Sequence, residues 1–93
     1  MVTAFILVNA RRDAVNETAQ DLLGLAGVTE VYSTAGDWDL ICVVRVKTND
    51  ELAELVTNHM LKLEGIVKTQ TIIAFRAYSE YDLERMFGLG LED

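Results

Sequence analysis

The sequence predicts an α+β domain of order β-α-β-β-α-β, an antiparallel four-stranded sheet carrying both helices on one face. Three observations carry this. Apolar residues recur with strand period in four stretches and with helix period in two. A hairpin signal, Gly36-Asp37-Trp38-Asp39, separates two runs rich in β-branched and aromatic residues. The chain also matches itself at an offset of 38, which aligns Leu23 with Leu61, Leu25 with Leu63, Gly27 with Gly65, Val28 with Ile66 and Ser33 with Thr71. That register divides it into two β-α-β halves, the split, ferredoxin-like layout.

Residues 3–9 (TAFILVN) are a nearly continuous apolar run, as a strand covered on both faces requires. Arg11, Arg12 and Asp13 interrupt it. From Val15 the apolar positions become Val15, Ala19, Leu22, Leu23 and Ala26, one face of a helix, with Asp13 placed to cap its start and Gly27 to follow its end. Residues 28–35 and 39–47 are the hairpin strands, and Gly36 leads their turn, where a type II′ conformation needs positive φ. Thr48-Asn49-Asp50-Glu51 is a capping box. It opens a second helix whose Leu52, Leu55, Val56, His59, Met60 and Leu63 share one face and which Gly65 ends. Residues 66–76 (IVKTQTIIAFR) form the fourth strand, and Leu83, Met86 and Phe87 predict a short C-terminal helix. With no proline and no low-complexity linker, residues 1–76 are expected to form one domain and 77–93 a tail.

Ninety-three residues suffice for one small core. The net charge of −7, from 15 acids and 8 bases, argues against nucleic acid as a direct partner, because phosphate binding needs a basic face. No apolar run approaches the roughly 18 residues of a membrane span, and the start does not resemble a signal peptide. The single cysteine, Cys42, excludes an internal disulfide and a cysteine-based zinc site, and it fits a reducing cytoplasm. No cofactor and no metal site are expected.

Both sheet faces are apolar. Ala4, Ile6 and Val8 point one way in the first strand, Phe5 and Leu7 the other; in the third, Leu40, Cys42, Val44 and Val46 oppose Ile41 and Val43. Two helices cover one face only. The other is economically covered by a second copy of the chain, sheet against sheet, so an obligate homo-oligomer is expected.

At this point the motifs V-x-E-V, T-A-G-D-W-D-L and V-x-R-V within residues 28–46, and V-K-T-Q-T-I-I-A-F at 67–75, resemble the effector-binding (RAM) domain of Lrp/AsnC (feast/famine) transcriptional regulators. The resemblance covers about residues 3–76. It departs from the family at the start, where family regulators carry a helix-turn-helix domain and this chain begins at strand one, and in the tail after Tyr78. The resemblance implies a stand-alone effector domain without its own DNA-binding part. It also implies dimers of the dimeric α/β barrel type, further assembly often to octameric rings, and amino acids bound in clefts between dimers. Full-length Lrp/AsnC regulators become candidate partners. The cleft residues implied are Ser33, Thr34, Gly36, Asp37, Trp38 and Asp39, with Thr69 and Thr71 on the last strand.

The residues can be weighed separately. An amino acid needs an acceptor beside donors, which a loop carboxylate and turn amides supply. Asp37 also suits an ordinary turn. Asp39, at the strand entry, points to ligand or interface contact through the family match. Trp38 on a hairpin tip wants a neighbouring subunit or a ligand to pack against. Thr69 and Thr71 fit a strand by propensity, yet two hydroxyls on an apolar face want partners. His59 reads as a packed or boundary residue, Cys42 as a small buried hydrophobe and Arg11 and Arg12 as a solvated loop. No catalytic residue is expected, so an amino-acid-binding module leads. A small enzyme of the dimeric α+β barrel type and a purely structural assembly partner remain the alternatives.

Overall fold

Alternating apolar residues build the sheet and helical periodicity lays two helices across it. The computed structural model describes residues 1–79. Strand β1 (Val2–Ala10) leads through a 3-10 turn (Arg12–Ala14) into α1 (Val15–Leu23). Strands β2 (Val28–Ser33) and β3 (Leu40–Val46) form the central hairpin. Helix α2 (Asn49–Glu54) runs on as a π turn (Leu55–His59) and a 3-10 turn (Met60–Lys62) before β4 (Ile66–Ile73). The sheet order is β2-β3-β1-β4 with every neighbouring pair antiparallel, which is the α+β, ferredoxin-like arrangement the sequence predicts.

The core lies between sheet and helices. Ala4, Ile6 and Val8 of β1 and Leu40, Cys42 and Val44 of β3 are buried there beneath Leu22, Leu52, Leu55 and Met60. Residues of opposite parity face away from the helices. Phe5, Tyr32 and Ile72 on that open face are 38%, 51% and 44% exposed. A hydrogen bond from the Tyr32 phenol to Glu30, and the negative charge there, hold the phenol above its usual pKa.

Several local expectations are corrected. Asp13 does not cap α1: it sits within the 3-10 turn and pairs with Arg11 at 3.2 Å, and the residue at the cap position is Ala14. The helix ends one turn earlier than expected, at Leu23, with Gly24 as its cap, so Leu23 and Ala26 face solvent and the buried line runs through Thr18 and Leu22. Gly27 instead lies in the turn just before β2 with φ of 97°, where an added Cβ would lie 2.8 Å from Val46 Cγ1. The capping box forms, with Glu51 N donating to Thr48 Oγ1 at 3.1 Å, but the Glu51 carboxylate reaches back to Lys47 N rather than to the cap residue. In the second helix the π turn inserts a five-residue step between the buried Leu55 and Met60. That step rotates His59 off the apolar face and into solvent, where its Nε2 lies 3.7 Å from Glu54 Oε2. The fourth strand stops at Ile73, short of residue 76. The predicted C-terminal helix lies outside the described residues.

Candidate functional site

The β2–β3 connection is a six-residue loop, longer than the tight turn that the Gly36-Asp37-Trp38-Asp39 signal suggests, because β2 ends at Ser33 and β3 starts at Leu40. Its neck is closed by Thr34 N donating to the Asp39 carbonyl at 3.0 Å and Thr34 Oγ1 donating to the Trp38 carbonyl at 2.7 Å. Gly36 adopts φ of 106°, the positive φ predicted for it, and nothing lies within 4 Å of where a Cβ would stand.

Asp39 ties this loop to the end of β1. Its N–H donates to the Val8 carbonyl at 3.0 Å and to Asn9 Oδ1 at 3.2 Å, and its Oδ2 accepts from Ala10 N at 3.0 Å. The carboxylate therefore satisfies a backbone donor where the β1–β4 register shifts between Asn9 and Ala10. Asp37, by contrast, is exposed. Trp38 is half-buried, and Lys68 Nζ stands 5.4 Å from its ring centroid, within cation–π range.

Sheet order brings the strand residues in from the side. Val8 pairs with Leu40 on one side and Thr69 on the other, so Thr69 lies two strand spacings, about 10 Å, from the root of the loop. Ser33, Leu40, Val8 and Thr69 form one row across the helix-bearing face. Thr71 pairs with Ile6, one further row toward the middle of β4, and borders α2 rather than the loop. Six of the eight expected residues thus gather at one end of the sheet with Thr69 beside them, and Thr71 stands apart. Two neighbours were not singled out from the sequence, Asn9 and Lys68. A polar residue closing the apolar run of β1, and a cation next to Thr69, are the signals that would have found them.

Chemically, this end offers both signs. No backbone hydrogen bond among the described residues engages the N–H groups of Ala35, Gly36 and Asp37. With the Lys68 ammonium they suit a carboxylate, while the Asp37 carboxylate suits an ammonium. A groove of about 710 Å³ lies at the opposite end of the sheet between Gly27, Arg45 and the Glu54–His59 stretch. Cys42 is wholly buried, and burial pushes its thiol up to about 11, which removes it as a nucleophile near neutral pH. Among the described residues no helix is long and apolar enough to cross a membrane.

Comparison with known proteins places this architecture. The Lrp/AsnC ligand binding domain model matches residues 3–83. An HTH-type transcriptional regulator of Pyrococcus horikoshii, PH1916, is 32% identical over 81 residues, covering 84% of this chain and 54% of its own. The chain spans about half the length of the curated relatives it matches. The crystal structure of TTHA0845 from Thermus thermophilus superposes with a TM-score of 0.81 at 42% identity, over 86% of this chain and all of the other. A feast or famine regulatory protein from M. tuberculosis, complexed with L-methionine, shares the fold at 21% identity and a TM-score of 0.72, over 86% of this chain and 54% of its own. The chain belongs to the Lrp/AsnC ligand-binding-domain family.

Proposed function

We propose that this chain is an oligomeric module that binds a small molecule, an amino acid, between two dimers at the Gly36–Asp39 turn and the Thr69/Thr71 strand, and that it serves regulation of transcription or amino-acid metabolism. The observation that carries the reading is the juxtaposition at the loop of unengaged amides and Lys68 with the exposed Asp37. A ligand with both a carboxylate and an ammonium fits that pair of charges, and a second subunit would enclose it. The L-methionine held by the M. tuberculosis neighbour supports the ligand class, and the regulator names of the relatives support the role. The apolar sheet face that the described residues leave open supports dimerisation, dimers assembling further to an octamer, and Trp38 supports a neighbour at the loop. Binding, not catalysis, is the output, by favouring one assembly over another.

Thermal unfolding against the twenty amino acids tests this, with Asp37→Asn in parallel because the exposed Asp37, unlike Asp39, does not tie the loop to β1. At about 100 times its dissociation constant a ligand adds roughly 2.7 kcal/mol, several degrees for a domain of this size. The expected result is a shift with one or a few amino acids that Asp37→Asn diminishes. No shift with any of them refutes the amino-acid reading.

A further inference from the structure

Polar groups beside the loop bear on which amino acid it takes, a question that rests on the ligand reading above. Asn9 pairs with Lys68, and Gln70 pairs with Leu7, so the three polar side chains share the open face at its loop end. From there Lys68 reaches Trp38, its Nζ 5.4 Å from the ring centroid. Among the described residues Lys68 forms no ion pair, although acids outnumber bases 15 to 8 in the chain. An ammonium over an aromatic face keeps its charge for a further partner.

The donors therefore come in two sets. One is the backbone N–H groups of Ala35, Gly36 and Asp37, which hold a carboxylate without help from a side chain. The other is Lys68 with Asn9, whose Oδ1 is taken by Asp39 N at 3.2 Å and whose Nδ2 is left to donate. Acceptors are fewer. Asp37 is exposed, whereas Asp39 already receives Ala10 N at 3.0 Å. Two places for a carboxylate and one for an ammonium match an α-amino dicarboxylate. We propose that the site selects an acidic amino acid, glutamate or aspartate. The loop amides take its α-carboxylate, Asp37 its ammonium, and Lys68 with Asn9 its side-chain carboxylate. A basic amino acid meets the wrong sign at Lys68, and an apolar one covers that ammonium without pairing it. The net charge of −7 does not decide against an anion, because exposed charges are screened beyond about 8 Å at physiological ionic strength and the groups in contact set the preference.

Calorimetric titration of the full chain tests this, with the fluorescence of Trp38, its sole tryptophan, as a local readout. Glutamate or aspartate should bind about tenfold or more tighter than glutamine or asparagine, which keep the shape and lack the charge. The acid should also change the Trp38 emission as Lys68 turns from the ring to the ligand. Lys68→Gln should bring the acid-to-amide ratio close to one, and Lys68→Arg should preserve the preference. An acid that binds no better than its amide, a preference that survives Lys68→Gln, or acid binding that leaves the Trp38 emission unchanged each overturn the selectivity while amino-acid binding stands. No binding by any of the twenty overturns both.

Discussion

The two faces of the sheet are made from the same strands and the same kinds of residue, yet they meet different fates. On one, Ala4, Ile6, Val8, Cys42 and Val44 are buried entirely, because α1 and α2 lie across them. On the other, Phe5, Tyr32 and Ile72 stay partly in water, although Val43 between them is only 7% exposed. The difference lies in how much helix the described residues supply, not in residue chemistry. The covered face defines the fold of one subunit; the open face, in our proposal, defines how many subunits there are.

Three experiments would sharpen or break this contrast. Ile6→Ala removes a wholly buried side chain from the covered face and should cost about 2–5 kcal/mol, read as a lower denaturant midpoint at unchanged slope. A loss comparable to that of a surface substitution would mean the helices do not seal that face. Cys42 reports on the same face through pH. Burial lifts its thiol from 9.0 to about 11, so between these values the unfolded chain has released a proton that the folded chain keeps. That stabilisation is fully present below pH about 9 and is lost as pH rises toward 11, up to about 3 kcal/mol. Cys42→Ala should flatten this part of the stability profile, and the native thiol should resist labelling at pH 8. On the open face, Ile72→Lys should change the stability of the single subunit by no more than about 1 kcal/mol while abolishing self-association in sedimentation. A wild-type chain that sediments as a monomer would remove the contrast altogether.

The elements were legible because their signals are local. Alternation along β1 and β3 assigned each residue to a face, and burial agrees at Ala4, Ile6, Val8, Leu40, Cys42 and Val44. Gly36 was legible because positive φ narrows the choice of residue. The course of the second helix was not. Its i, i+4 line places His59 with the core, and only the packing of Leu55 and Met60 through a π turn turns it away. Asp39 shows the same limit at the site. Its sequence context marks it as important, but its bond to Ala10 N spans 29 positions and depends on β3 lying beside β1.

By itself, then, the sequence determined the order of elements, the two-fold repeat of β-α-β, the faces of the strands and the loop to which the family motif belongs. Periodicity, turn chemistry and glycine φ act within a few residues. Tertiary structure alone decided that Asn9 and Lys68 join that loop while Thr71 leaves it for α2, and that Asp39 spends one oxygen on the backbone. Those outcomes depend on which strands become neighbours, a choice made by burying one apolar face as a whole rather than by any residue's own preference.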